Sequence, residues 1–160
     1  MSNELANVNE PTRETAQESN ADVPRLLVVD DVITQRTIIC RIGAQCGFDV
    51  VGAATLREAK QFIQERKFDC ITIDLGLGAE SGEGLIDELW DLSSLISVIV
   101  ISGAAENIVR AAADKAQSLG FDAHFLMKPL EIAKLRKVLE EKFHNTPIQR
   151  SLNSLTAAER

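Results

Sequence analysis

The sequence is poor in aromatic residues: it has no tyrosine, one tryptophan and six phenylalanines. Hydrophobic residues still make up 45% of its 160 residues, so we expect one globular core built mainly from aliphatic side chains. Long apolar runs are also missing. None approaches the ~20 residues that a membrane helix needs, and the N-terminus lacks the basic start and apolar run of a signal peptide. These absences argue against a membrane segment.

The three cysteines, Cys40, Cys46 and Cys70, lack the spacing of a metal or redox motif. No two of them form a CxxC pair, their number is odd, and no histidine stands at zinc-ligand spacing from them. We therefore expect reduced, mostly buried cysteines that behave as small apolar residues, as in a cytoplasmic protein.

A basic face is absent as well, because the formal net charge is −7. This charge argues against binding to nucleic acid or to an acidic membrane, both of which need clustered positive charge. Residues 1–24 alone carry five acids and one base, and no hydrophobic period runs through them. We expect residues 1–22 to be a disordered acidic tail.

From residue 23 onward, short apolar runs alternate with helical patterns. The runs are nearly unbroken, which is typical of strands buried on both faces of a parallel sheet. We expect strands at 25–29, 48–53, 70–73, 98–101 and 122–127, with helices at about 33–46, 55–66, 85–92, 108–119 and 132–143. Residues 23–144 form the predicted domain, and 145–160 are a tail or a helix extension whose Leu152 and Leu155 contact a partner.

Five strand–helix units predict an α/β fold, with helices on both faces of a parallel sheet. Right-handed crossovers leave few topologies, and we expect the flavodoxin-like (βα)₅ three-layer sandwich with strand order 2-1-3-4-5. Thr55 and Glu58 predict a capping box at the start of the second helix.

Polar residues follow four of the predicted strands: Asp30 and Asp31 the first, Asp74 the third, Ser102 the fourth and Lys128 the fifth. Parallel strands end at one edge of the sheet, so these side chains should converge there. Three clustered carboxylates repel one another unless a cation offsets them. An oxygen-rich site of this kind suits Mg²⁺, or Mn²⁺ in its place, with Asp31 and Asp74 as direct ligands. Asp30 would hold a metal-bound water or tune the charge of the site.

The same residue types suit phosphoryl transfer. Asp74 can act as a covalent nucleophile toward phosphorus. The reaction then needs the phosphoryl oxygens to be neutralised and held, which Ser102, Lys128 and the metal ion can do.

Four segments resemble the receiver domain of two-component response regulators: LLVVDD (26–31), ITIDLGLGAESG (71–82), VIVISG (98–103) and FLMKPL (125–130). The resemblance implies a signalling protein, not an enzyme, whose Asp74 takes a phosphoryl group from a sensor histidine kinase. It also implies that the Gly76 carbonyl completes the metal site, that the Lys128–Pro129 peptide is cis, and that Ser102 and Phe125 form the switch.

The sequence departs from the family pattern at two positions. Gly78 stands where a proline is common, and the switch aromatic Phe125 is not a tyrosine. We expect a single-domain regulator that signals through an unknown downstream protein or phosphotransfer protein. The fourth and fifth helices carry four apolar residues whose role the sequence leaves open. They either form a homodimer surface together with the fifth strand or pack into the core of the monomer: Ile108, Ala112, Leu135 and Leu139.

Two other functions fit parts of the pattern. One is an interaction or dimerisation module that keeps the fold and needs no phosphorylation. The other is a phosphohydrolase of the haloacid dehalogenase type, which needs a second aspartate two residues after the nucleophile. Gly76 occupies that position here and argues against it.

Overall fold

The computed structural model describes residues 23–76 and 96–158, together with Asp87. The predicted tail 1–22 and most of the predicted helix at 85–92 lie outside these residues, as do Gly78, Gly82 and Gly84. The described residues contain five strands, and each matches a predicted run to within two residues at either end: β1 Arg25–Val29, β2 Asp49–Ala53, β3 Cys70–Asp74, β4 Ser97–Ser102 and β5 Asp122–Met127.

The five strands form one parallel sheet in the order β2-β1-β3-β4-β5, which confirms the predicted topology. Val29 pairs with Ile73 across β1 and β3, so the next residues, Asp30 and Asp74, lie side by side. Ser102 pairs with Met127 across β4 and β5, which brings the residue after β5 beside the end of β4. The order therefore places Asp30, Asp31, Asp74, Ser102 and Lys128 along one edge of the sheet, whereas Phe125 lies within β5.

Helices cover both faces of the sheet. The described residues contain α1 Ile33–Gln45, α2 Leu56–Glu65, α3 Glu106–Ser118, α4 Ile132–His144 and α5 Pro147–Ala158. Alternate residues of each strand point to opposite faces. Leu26, Val28, Ile99 and Ile101 pack with α1 and α4, whereas Leu27, Val29, Val98 and Val100 pack with α2 and α3.

Local signals set the helix ends. Thr55 Oγ1 accepts a hydrogen bond from the Glu58 N–H, as the capping box predicts, and the Glu58 carboxylate accepts one from the N–H of Ala54. Gly47 ends the turn after α1 with φ 105°, a conformation that favours glycine. A Cβ there would lie 2.9 Å from the Phe143 ring, so α4 also requires the absence of a side chain.

The segment after α4 begins with its own helix signal. Thr146 Oγ1 accepts a hydrogen bond from the Gln149 N–H, and Pro147 occupies the first helical position. On α5, Leu152 is 46% exposed and Leu155 is 66% exposed. Within the part of the chain that the structure describes, every helix is too short or too polar to cross a membrane.

Candidate phosphorylation and metal site

Three carboxylates meet at the carboxyl ends of β1 and β3. One oxygen from each of Asp30, Asp31 and Asp74 lies within 4.8 Å of the others. Asp30 and Asp74 are buried, at 1% and 3% exposure, and Asp31 is exposed. The structure therefore brings together the three acids that the sequence analysis selected, with one acid open to solvent.

Asp30 is held at its backbone and at one carboxylate oxygen. Its N–H donates to the Ala53 carbonyl at 3.1 Å, and its Oδ1 accepts from the Val32 N–H at 2.8 Å. Its Oδ2 is buried and has no hydrogen-bond partner among the described residues. A buried acceptor without a donor destabilises the folded state. A cation, or a water bound to a cation, would satisfy this oxygen.

The electrostatics of Asp30 lead to the same conclusion. Burial raises the pKa of its carboxyl, the Val32 hydrogen bond lowers it, and the nearby charge of Asp74 raises it again. The charge of Lys128 lowers this pKa and the charge of Asp31 raises it. The net result is a raised pKa. The carboxylate form of Asp30 is thus destabilised until positive charge is added.

Both oxygens of Asp74 have a donor. Oδ1 accepts from the Gly76 N–H at 2.8 Å, and Oδ2 accepts from Lys128 Nζ at 2.6 Å. A Cβ on Gly76 would lie 3.3 Å from Oδ1, which is tight, so the absence of a side chain leaves this turn close against the carboxylate. The carboxylate is consequently fixed in orientation, while its neighbours from β1 supply the remaining negative charge.

Lys128 reaches Asp74 because its backbone is fixed at the end of β5. Its N–H donates to the Ser102 carbonyl at 2.8 Å, and the following Lys128–Pro129 peptide is cis, as predicted. The side chain remains 28% exposed. The Lys128 side chain is therefore more open to solvent than the Asp74 carboxylate that it binds.

Ser102 and Phe125 occupy the strands beside Asp74. Ser102 is 1% exposed, and its Oγ accepts from the Ala104 N–H at 3.0 Å, so its own proton is available to another acceptor. Phe125 is half-buried against the core cluster that includes Val100 and Phe121. Residues from Phe125 to Glu131, with Lys134, line a cavity of about 270 Å³ next to the site.

Two contacts near this framework were not predicted from the sequence. The Arg36 guanidinium donates from Nη1 to the Asp30 carbonyl at 2.7 Å. At the opposite edge of the sheet, Lys142 is only 3% exposed and its Nζ donates to Asp122 Oδ1 at 2.6 Å. Arg36 could have been found from its position, because it lies one turn into the helix that follows the paired acids. Lys142 has no such signal, since a charged residue near a helix end is ordinary.

The donor set fits a divalent cation. It consists of three carboxylates, of which Asp31 is solvent-exposed, and Oδ2 of the buried Asp30 has no donor among the described residues. Hard cations that take oxygen ligands and retain water, such as Mg²⁺, prefer this chemistry. No cysteine or histidine is part of the cluster found among the described residues, which disfavours softer metals.

Comparisons with known proteins agree with this arrangement. The family model of the response regulator receiver domain matches residues 26–140. Transcriptional regulatory protein ZraR of Escherichia coli O157:H7 is 29% identical over 123 residues, which cover 77% of this chain and 27% of that protein. Chemotaxis protein CheY of Thermotoga maritima is 28% identical over 118 residues, covering 73% of this chain and 95% of that protein. The chain thus spans less than a third of the length of its ZraR relatives.

Solved structures give the same result. A Burkholderia pseudomallei response regulator, with a phosphorylated aspartic acid, a calcium ion and citrate, matches at a TM-score of 0.62 and 28% identity, covering 86% of this chain and 75% of that one. A CheY-like receiver domain from Methanospirillum hungatei matches at a TM-score of 0.62 and 25% identity, and the match covers 75% of this chain and 96% of that one. Receiver domains are signalling proteins rather than conventional enzymes, and they bind divalent metal ions. Because the family model spans most of the 160 residues and the fold agrees, the chain belongs to the response regulator receiver domain family of two-component signalling.

Proposed function

We propose that this chain is a single-domain response regulator whose Asp74 accepts a phosphoryl group from a sensor histidine kinase. The observation that carries the proposal is the setting of Asp74. Its buried carboxylate lies among Asp30 and Asp31, and its Oδ2 is 2.6 Å from Lys128 Nζ. A carboxylate held beside a cation and two further acids suits metal-assisted attack on phosphorus.

In the proposed reaction, a carboxylate oxygen of Asp74 forms a bond to phosphorus while the bond from phosphorus to the kinase histidine nitrogen breaks. The nitrogen keeps the electron pair of that bond. Lys128 pairs with one phosphoryl oxygen, and the Ser102 hydroxyl donates a hydrogen bond to another. When bound, a divalent cation supplies positive charge that neutralises a further oxygen.

The proposed cation is Mg²⁺, with Mn²⁺ able to replace it. Asp31 and Asp74 are its proposed direct ligands, Asp30 holds a bound water, and the backbone carbonyl of Gly76 completes the protein set. The buried, undonated Oδ2 of Asp30 supports a role in this shell. The calcium ion in the phosphorylated Burkholderia relative shows that a divalent ion and a phosphoaspartate occur together in that protein.

The proposed switch joins Ser102 to Phe125. Ser102 moves toward the phosphoryl group, and the half-buried Phe125 turns further into the space this leaves, which shifts the population of an existing active state. The cavity beside Phe125 gives the ring and its neighbours room to rearrange. The surface of α3, β5 and α4 would then exchange its protein partners.

Exposed apolar side chains support docking of a phosphodonor protein at this edge. Val32 is 49% exposed, Ile33 68% and Ile132 52%, and they lie on the segments that follow Asp31 and Lys128. A homodimer has less support, since Leu135 and Leu139 are fully buried in the core and Ile108 alone of the four predicted residues is classed as exposed. We propose protein partners, and neither nucleic acid nor membrane.

The single-domain form and the cytoplasmic location belong to the same proposal. The match to CheY covers 95% of that protein, so a receiver of about this length occurs as a separate protein. All three cysteines are free, with Cys70 buried and Cys40 and Cys46 half-buried, as a reducing compartment would allow. The mass of the protein in an extract of its organism tests the first point.

The deciding experiment is phosphotransfer profiling against the purified histidine kinases of the same organism. With labelled kinases and Mg²⁺, we expect one kinase to transfer its label fastest, and Asp74→Asn to receive none. Asp87→Asn, a carboxylate outside the acidic cluster, is the matched control and should accept label normally. A partner complex that forms equally with unphosphorylated, phosphorylated and Asp74→Asn protein would instead favour a phosphorylation-independent interaction module.

A further inference from the structure

The turn between β1 and α1 carries two of the three acids, and it depends on few contacts. The N-cap residue of α1 is Val32, whose side chain cannot accept a hydrogen bond from the helix N-terminus. The first turn of α1 contains no acidic residue. The geometry of Asp30 and Asp31 must therefore be held by contacts other than a helix cap.

Arg36 supplies such a contact from the second turn of α1. Its N–H donates to the Val32 carbonyl at 2.9 Å, and its Nη1 donates to the Asp30 carbonyl at 2.7 Å. The first of these is the backbone bond that opens the helix, whereas the side-chain bond ties α1 to the residue that follows β1. The Asp30 carbonyl is fixed by this bond, while its N–H is fixed by Ala53 on β2.

The Arg36 stem is held in place by β2. A Cβ built on Gly52 would lie 3.3 Å from Arg36 Cδ and 3.3 Å from Cys40 Sγ. The side chain of Arg36 thus runs close against the strand at the point where a side chain is missing. A stem held in this way loses little further freedom when its guanidinium forms a hydrogen bond.

The guanidinium binds a carbonyl and no carboxylate within ion-pair distance among the described residues. It therefore leaves the oxygens of Asp30 and Asp31 free for a cation, unlike Lys128, which binds Oδ2 of Asp74 directly. A residue that orients ligands without competing for them has the properties of an outer-shell support.

We propose that Arg36 is a positioning residue for the cation site: it fixes the β1–α1 turn so that Asp30 and Asp31 face Asp74. The inference rests on the proposed metal-dependent function, and adds a residue that neither the acidic motif nor the family match singles out. Loss of the guanidinium leaves the acids in the sequence but lets their backbone move.

The test is titration of Mg²⁺ into the purified chain by calorimetry, without any phosphodonor. Arg36→Met keeps the apolar stem and removes the donor, and we expect it to weaken Mg²⁺ binding by about 10-fold or more, the usual loss for an outer-shell partner. Arg36→Lys keeps a donor on a shorter reach and should lose less. Arg41→Met, an exposed arginine on the same helix, is the control and should bind as the wild type does.

The outcomes separate the inference from the proposed function. A wild-type chain that binds no Mg²⁺ would contradict the proposed function itself. Wild-type binding together with equal affinity in folded Arg36→Met would overturn only the role of Arg36. If circular dichroism shows that Arg36→Met does not fold, Arg36→Lys decides: a loss of about 3-fold or more supports the inference, and unchanged affinity overturns it.

Discussion

Lys128 and Asp74 are 54 residues apart in the sequence, and their side chains form an ion pair of 2.6 Å at the edge of the sheet. The Asp74 side chain is 3% exposed and the Lys128 side chain 28%, so the carboxylate is buried while the lysine remains in contact with solvent. In the proposed reaction, the ammonium that holds the resting carboxylate also pairs with the transferred phosphoryl group.

Replacing Lys128 with Met should slow phosphorylation by acetyl phosphate and Mg²⁺ by about 10- to 100-fold. The change removes a charge-assisted hydrogen bond, worth roughly 1.5–3 kcal/mol, from the transferring group. The measurement is the rate at which the phosphorylated mass accumulates. Lys137→Met, an exposed lysine of α4, controls for net charge. Equal rates in Lys128→Met and wild type would remove Lys128 from the mechanism.

Replacing Asp30 with Asn should stabilise the chain in a metal-free buffer at neutral pH by roughly 1 kcal/mol, because a buried, charged and undonated oxygen is removed. The raised pKa sets the sign: folding disfavours the carboxylate, so the advantage of the variant should shrink as the pH falls and Asp30 takes up a proton. Urea unfolding with and without Mg²⁺ measures both effects. A variant less stable than the wild type at neutral pH would contradict this account.

His124 should make the fold sensitive to acid. Burial lowers the pKa of its imidazole, the charge of Lys142 lowers it further, and Asp122 and Glu141 oppose these effects. The folded state therefore disfavours the protonated ring, and the free energy of unfolding should fall as the pH drops below about 6.5. His124→Gln should flatten this part of the profile, and His144→Gln should keep it. A wild-type profile that is flat between pH 7 and 5 would refute the prediction.

The Lys142–Asp122 pair should respond unequally to loss of either partner. Asp122 also accepts from Ser97 Oγ at 2.7 Å, and its side chain is 58% exposed, so it can return to water when Lys142 becomes Met. That change should alter stability by less than about 1 kcal/mol. Asp122→Ala instead leaves a buried ammonium unpaired, and should cost about 3 kcal/mol in urea unfolding. Equal costs would show that burial of Lys142 is not the controlling factor.

Much of the fold follows from local rules that the sequence displays openly. Unbroken apolar strands predict burial on both faces, and the Thr55 cap marks a helix start that the structure confirms. The convergence of Asp30, Asp74 and Lys128 was predictable because parallel strands end at one edge.

Other features depend on tertiary contacts that no local pattern encodes. A lysine near a helix end normally faces solvent, but Lys142 is 3% exposed and binds Asp122 at the start of β5. The Arg36 stem, whose guanidinium binds the Asp30 carbonyl, also lies close against Gly52 of β2, where a Cβ would be 3.3 Å from Arg36 Cδ. The segment that forms α5 is a different case. The sequence analysis leaves it as a tail or a helix extension, yet Thr146 followed by Pro147 is a recognisable local signal for a helix start. Sequence reasoning thus predicted that the three acids and Lys128 lie together, but not the contact between Arg36 and the Asp30 carbonyl.

The most direct test of the central claim is intact-mass measurement after incubation with acetyl phosphate and Mg²⁺. The account predicts a mass increase of one phosphoryl group in the wild-type chain. It predicts no increase in Asp74→Asn, and none in the wild type when the metal is chelated. Equal labelling of Asp74→Asn, or labelling that is independent of the metal, would contradict the assignment of Asp74 as the phosphoacceptor.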